Sequence, residues 1–528
     1  MDFVVGSGPA GIACVKALVR AGRKVTILDS GIQLEDDRKA SICRLQQIDK
    51  KQWTEGETAF LREGISSSTS GIPLKRAFGS DYPYRIPPGA TKINCRVAET
   101  KPSFAYGGLS TVWGAATMPY RRPDIADWPI SIEDLEPGYK AVLEWMPLSA
   151  QIDALAEFFP LYTDRNKPLP SSRQAQALSV DMQRSRTRLN AEGVYWGGSR
   201  IAVRAEGPAA EPACVQCGLC MYGCPHELIY SSDQTFKELI EEGQVIYRSG
   251  VTVHSVEESA REVKIQAFDR EGAPLQFSAG RVFLCAGLLN TTSILLRSLN
   301  RYDTPVEIKD SQYFLMPLLR MRGVSGVMRE PLHTLAQLFV EVFDEKISPF
   351  TIHLQTYTYN DLFRAPVLAA LGPLRSIFPV EALLGRLMLF QGYLHSSHSA
   401  GLTAQLTRGS QGDTLEVGAT PNPQTVKRIG QLSRKFLSLA MQTGLLPLLP
   451  AIQKGQPGRG FHSGGSFAMS RDPNARQSDL LGRPAGLLRV HAVDSTVLPS
   501  IPATTITYSV MANAYRIAMQ AAHEFPGE

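Results

Sequence analysis

The chain opens on an apolar run at residues 3–5, a glycine-rich turn, apolar residues at Ile12, Val15 and Leu18, and a second apolar run ending at Asp29. The spacing in the middle segment predicts an amphipathic helix, and the continuous runs on either side predict strands buried on both faces, as in a parallel sheet. Residues 244–286 read as further strands with turn signals between them, ending at "VFLCAG". Strict alternation in "TIHLQTYTY" from Thr351 and "LTAQLTRGSQGDTLEVGA" from Leu402 predicts antiparallel strands, the second pair joined around residues 409–412. Residues 361–394 are unusually apolar, with three prolines that cut helices short and Arg364, Arg375 and Arg386 at intervals. The favoured reading there is core helices covering a sheet. A lid over an apolar channel and a patch lying on a membrane surface are the alternatives.

Composition narrows this picture. A chain of 528 residues, 43% hydrophobic, has the apolar content for more than one core. Fifty-five Lys and Arg against 50 Asp and Glu give a net charge of +5 with no basic block, so a nucleic-acid partner is not expected. No uncharged apolar run reaches the roughly 18 residues of a spanning helix. "MDFVVGSGPAG" enters a strand at once, leaving no room for a signal peptide if residue 1 is the start, and a cytoplasmic location is expected.

The chemistry begins at the first turn. Gly6, Gly8 and Gly11 stand in G-x-G-x-x-G spacing between a strand and a helix, and Asp29 closes the second strand. Such a turn brings backbone N–H groups to a pyrophosphate, and the acidic residue accepts from ribose hydroxyls, which predicts a dinucleotide site. A second glycine-rich segment, "YGGLSTVWGAATMP" from Tyr106, has the small side chains that let backbone pass close to a flat ring.

Together with "DWPISIEDLEPGY" from Asp127, "VFLCAGLLNTTSILLRS" from Val282 and the C-terminal "GFHSGGSFAM" to "AVDSTVLPSIPATTITYS", these segments resemble the glucose-methanol-choline flavoprotein oxidoreductases over nearly the whole chain. The resemblance implies an α/β fold with a discontinuous Rossmann-like FAD-binding domain (1–130, 205–300 and 456–528) and an inserted α+β substrate domain on an antiparallel sheet (131–204 and 301–455). It implies that Gly6, Gly8, Gly11 and Asp29 hold the ADP half of FAD. Gly108, Ser110, Thr111, Trp113 and Gly114 would lie along the flavin, Asp494 and Thr505 would complete the cofactor set, and His462 would be the catalytic base. "GGLSTVWG" is most similar to the pyranose oxidase branch, where a histidine before the tryptophan carries a covalent flavin link. Val112 stands there and cannot make that bond, so non-covalent FAD is expected.

The implied reaction is oxidation of an alcohol CH–OH in a sugar, polyol or related secondary alcohol, with proton abstraction and hydride transfer to the flavin. A dehydrogenase is expected rather than an oxidase, passing electrons to an acceptor protein or a quinone. One departure stands out: the family's second active-site Asn or His aligns with Ala503, which offers no polar side chain. The alternative is therefore a flavin-binding electron-transfer or structural component.

Half of the eight cysteines lie in "ACVQCGLCMYGCPH", where Cys214, Cys217, Cys220 and Cys224 before Pro225 match the bacterial ferredoxin spacing. An iron–sulfur cluster in the 214–225 loop and a packed, reduced loop are expected with equal weight, with zinc a weaker third reading. Cys95 or Cys285 would have to approach if Cys224 did not bend back.

Overall fold

The computed structural model describes residues 1–64, 74–206, 213–377, 379–410 and 412–524. The first apolar run forms the strand Asp2–Val5 at the centre of a five-stranded parallel sheet, in the order Val490–Ala492, Arg281–Leu284, Asp2–Val5, Val25–Asp29, Val245–Ser249. All four residues of the central strand are buried, as expected where helices cover both faces. The one charged residue among them is matched: Asp2 sits opposite Arg281 in register, and its carboxylate accepts from the Arg281 Nε and Nη2 at 3.0 Å each. The helix Pro9–Arg20 follows the glycine turn and packs against the long C-terminal helix Ile506–Glu524, which in turn packs against Ile132–Val142.

The two alternating stretches fall in different sheets. Ile352–Tyr357 belongs to a seven-stranded antiparallel sheet, between Leu338–Val342 and Leu387–Tyr393. Gly401–Thr407 and Thr414–Thr420 pair antiparallel in a second five-stranded sheet, with Val306–Asp310 and Ser463–Gly464 beyond them and Lys92–Cys95 at the other edge. Gln411, in the turn between that pair, lies outside the described residues. A small antiparallel sheet, Thr252–Glu258, Val263–Phe268 and Pro274–Ala279, accounts for the strand signals after residue 244. The fold is α/β, with one parallel sheet and the remaining large sheets essentially antiparallel.

The expectation of core helices over residues 361–394 is overturned. Strand Leu387–Tyr393 takes the last part of that run, but the helix Arg364–Leu371 has no buried residue, and Ile377 is 80% exposed. The prolines divide the stretch into turns too short to lie along the sheet.

Close packing of helix on strand depends on Gly11. A Cβ there would stand 2.2 Å from the Gly6 carbonyl oxygen, a backbone atom that cannot move aside. Gly11→Ala is expected to destabilise the protein by about 1–3 kcal/mol through this overlap, read as a lower urea midpoint than wild type at equal m-value.

Candidate active site

A cavity of about 400 Å3 runs between the carboxyl ends of the parallel strands and the seven-stranded sheet. Its first end is the glycine turn. Gly6, Gly8 and Asp29 line it, and the helix starting at Pro9 is capped at Gly8 with no side-chain hydrogen bond, so its first N–H groups point out unspent. The Asp29 carboxylate accepts from Ser7 Oγ at 2.5 Å and Tyr247 OH at 2.9 Å, and burial raises its pKa to about 6. Gly11 lies behind the turn and does not face the cavity.

The second glycine segment crosses directly over the first. A Cβ on Gly108, whose φ is +58°, would come 3.0 Å from the Gly8 Cα, so the two backbones touch where side chains would hold them apart. Gly108, Ser110, Trp113 and Gly114 line the cavity. Ser110 Oγ donates to the Gly107 carbonyl at 2.6 Å, and Trp113 Nε1 donates to the Tyr230 carbonyl at 2.7 Å. Thr111 Oγ1 donates back to the Gly108 carbonyl at 2.8 Å, and Thr111 does not reach the cavity wall. Val112, half-way along the strip, lines it with a carbon side chain.

At the third side stands Asp494, also buried and raised to about 6, accepting from the Gly287 N–H at 2.9 Å and Thr291 Oγ1 at 2.5 Å. Thr505 faces the same space, and its buried Oγ1 has no partner among the described residues. An uncapped helix N-terminus, touching glycine backbones, two buried carboxylates without a cation and an unspent hydroxyl suit a dinucleotide such as FAD.

His462 faces the far end. Its backbone is held on both sides: Ser311 N–H donates to the His462 carbonyl at 2.9 Å, while the Asp310 carboxylate accepts from Gly458 N–H at 2.9 Å and Ser463 Oγ at 2.7 Å. The ring stacks on Tyr393 with centroids 4.7 Å apart, and its buried Nδ1 has no partner among the described residues. Burial, with a smaller contribution from His353, lowers the His462 pKa to about 4, so the ring is neutral at pH 7.

The wall opposite the glycine segments was not singled out from the sequence. Gln355 and Tyr357 on one strand and Gln391 and Tyr393 on its neighbour line the cavity, with Gln355 directly opposite Gln391. Tyr357 OH donates to Gln355 Oε1 at 3.0 Å, and Gln391 Nε2 donates to Tyr393 OH at 2.6 Å. Behind them a fully buried pair, His353 Nδ1 and Glu341 Oε1, is 2.7 Å apart. The alternation in "TIHLQTYTY" carried the signal, because His353, Gln355 and Tyr357 share one strand face. Ala503 packs with Tyr313, Leu315 and Tyr393, and burial fills its position with apolar contact. Lys75 was also missed: it lines the cavity, donates to the Trp113 carbonyl at 2.8 Å, and is lowered by burial to about 8.

The cysteine loop is expected with equal weight to hold a cluster or to pack as a reduced loop; burial raises the Cys217 pKa, and Cys220, Cys224 and Cys214 stand near enough to add to that rise. Among the described residues no three Cys, His, Asp or Glu side chains are grouped to hold a metal ion. The loop's backbone is spent on packing instead: Cys217 bridges to Leu332, Phe78 N–H donates to the Tyr222 carbonyl, and Leu219 and Tyr222 pack with Leu45 and Leu61. Cys285 lies beneath Gly6 and Gly11 beside Cys14, and Cys95 donates to the Thr100 carbonyl, so neither completes a fourth corner. Met221 presents the loop to the cavity.

No family model matches the chain, and no curated protein matches it. Among solved structures it is similar to pyridoxine 4-oxidase from Mesorbium loti, with a TM-score of 0.61 over 99% of each chain at 15% identity. At that identity the likeness is one of fold, and it extends over the whole length of both proteins.

Protein purified under anaerobic conditions is expected to contain no stoichiometric iron or acid-labile sulfide, because the loop is built as packing. One cluster's worth of both per chain, by colorimetric assay, would reverse that assignment.

Proposed function

We propose that this chain is an FAD-dependent oxidoreductase of the glucose-methanol-choline kind that oxidises an alcohol CH–OH group in a neutral, hydroxyl-bearing substrate. The observation that carries the reading is one continuous cavity with a dinucleotide-shaped first end and a buried, neutral imidazole at the other. The sequence resemblance and the full-length likeness of fold to pyridoxine 4-oxidase support it.

On this reading Gly6, Gly8 and the N-terminus of the Pro9–Arg20 helix receive the pyrophosphate, and Asp29 accepts from the ribose. The strip from Gly108 to Gly114, with Asp494 and Thr505, holds the remainder. Bound FAD supplies the acceptor for a hydride from the alcohol carbon. His462 takes the hydroxyl proton, a task for which the neutral ring is the competent form. Its clamped backbone and the Tyr393 ring fix where that nitrogen stands, and the glutamine–tyrosine wall orients the substrate. Val112 leaves the cofactor without a covalent tether at the position where the pyranose oxidase branch has one.

A second reading, a flavin-binding electron-transfer component, rests on Ala503, which leaves one polar partner fewer beside the imidazole. An alcohol panel added anaerobically separates the two. The first reading expects at least one alcohol to bleach the flavin band, with the rate falling about 10^2–10^4-fold in His462→Ala; no bleaching by any alcohol would favour the second. Oxygen uptake measured beside dye reduction distinguishes an oxidase, as the structural neighbour is named, from a dehydrogenase.

Two further outcomes are expected. Acid precipitation should release all flavin into the supernatant. Activity should be level from pH 8 downward and fall as the pH drops through about 4, because protonation there removes the base; an acid limb centred near 6.5 would point to an exposed histidine instead.

A further inference from the structure

Strands Ile352–Tyr357 and Leu387–Tyr393, neighbours in the cavity wall, are joined by residues 358–386, which leave the sheet as two short helices, Arg364–Leu371 and Val380–Leu384. The inner side of this pair is accounted for. Phe363, Val367, Val380 and Leu384 pack with Val324, Val327 and Met328 of the adjoining 321–329 segment. Its outer side is apolar as well: Ala365, Pro366, Ala369 and Pro373 are exposed, Ile377 is 80% exposed, and Met321 beside the base is 45% exposed. Beside these stand exposed Arg364, Arg375 and Glu381, so the outer side mixes apolar side chains with charged ones, and an exposed apolar group rimmed by charge marks an interaction surface.

Charge identifies the cover. The acids of residues 358–386 are already engaged, Glu381 with Arg364 at 3.0 Å and Asp361 with Arg62 at 3.9 Å. Arg322, Arg329, Arg375 and Arg386 are exposed and have no acidic partner within 4.0 Å among the described residues. Arg386 Nη1 reaches the Met321 carbonyl at 3.5 Å, which ties the arginines of the 321–329 segment to the helix pair. A second copy of the chain would set these arginine rims against each other. An exposed apolar group beside guanidinium groups without acidic partners is complementary to a layer of anionic headgroups over hydrocarbon. No described helix is long and apolar enough to cross a membrane, so the contact is one of lying on the surface.

We infer that the helices Arg364–Leu371 and Val380–Leu384 seat the protein on an anionic lipid surface, with Ile377 entering the headgroup boundary and the arginines pairing lipid phosphates. The wall strands that carry Gln355, Tyr357, Gln391 and Tyr393 lead directly to that contact, so the cavity sits above the bilayer by a fixed connection. The inference is independent of the cofactor and of the reaction.

The test uses the full chain as purified, sedimented with vesicles of phosphatidylcholine alone or of equal parts phosphatidylcholine and phosphatidylglycerol. Wild type is expected to partition onto the anionic vesicles, at least tenfold less onto phosphatidylcholine, and less in 0.5 M salt. Ile377→Glu and Arg375→Glu, both at exposed positions, are each expected to cut anionic partitioning at least fivefold with unchanged melting temperature. Equal binding to both vesicle types, no binding to either, or variants that partition like wild type would overturn the inference. So would a wild-type dimer, by sedimentation velocity, that Ile377→Glu converts to monomer, since a second copy would then be the cover.

Discussion

A buried carboxylate, offset by neutral hydrogen-bond donors, fixes the imidazole end of the cavity. Asp310 ends a strand of the five-stranded sheet, and Tyr313–Arg320, after only two intervening residues, belongs to the seven-stranded sheet. Its oxygens accept from the Gly458 N–H and the Ser463 hydroxyl, and the N–H of the next residue, Ser311, donates to the His462 carbonyl. One short corner between two sheets therefore holds the chain on both sides of the imidazole. Without those bonds the carboxylate would be buried and unsatisfied, at a cost of several kcal/mol or more, so the loop and the acid hold each other in place.

The same economy of charge runs through the cavity. Asp29, Asp310 and Asp494 are all raised to about 6 by burial, each offset by neutral hydrogen-bond donors rather than by a cation. His462 is depressed to about 4 by the same desolvation. Low dielectric thus acts in opposite directions on acid and base, leaving the imidazole as an unprotonated acceptor at neutral pH. Lys75, lowered to about 8, shows that the effect reaches the rim below the cysteine loop.

How far the sequence could be read depended on whether a signal was local. The Gly6–Gly11 turn, its helix and Asp29 lie within thirty residues, so spacing alone placed strand, helix and strand. His462 was legible through its neighbours in the C-terminal block. The wall was not, because Gln355 meets Gln391 only through strand register, and nothing within one stretch says which strands pair. The cysteine run left two readings of equal weight for the opposite reason. Its spacing is local and complete, but ligand geometry is a property of side-chain directions, and Cys217 and Tyr222 use this backbone to seat the loop. The apolar run at 361–394 misled because apolar content predicts burial without saying in what.

The wall also bears on what the loss of a polar side chain at Ala503 means. Tyr357 occupies Gln355 Oε1, which leaves that amide its N–H groups, while Gln391 donates to Tyr393 and keeps its Oε1 as an acceptor. Two glutamines opposite each other in register therefore present both N–H donors and a carbonyl acceptor, with no carboxylate among them. The C-terminal loop contributes apolar contact at Ala503, which packs on Tyr393, and the neighbouring polar groups stand on the sheet. A rigid sheet positions such groups more narrowly than a loop does, so these two strands set neutral hydrogen-bonding groups at a fixed spacing, while the cationic side chains of the cavity, Lys75, Lys101 and Arg459, stand elsewhere on its wall.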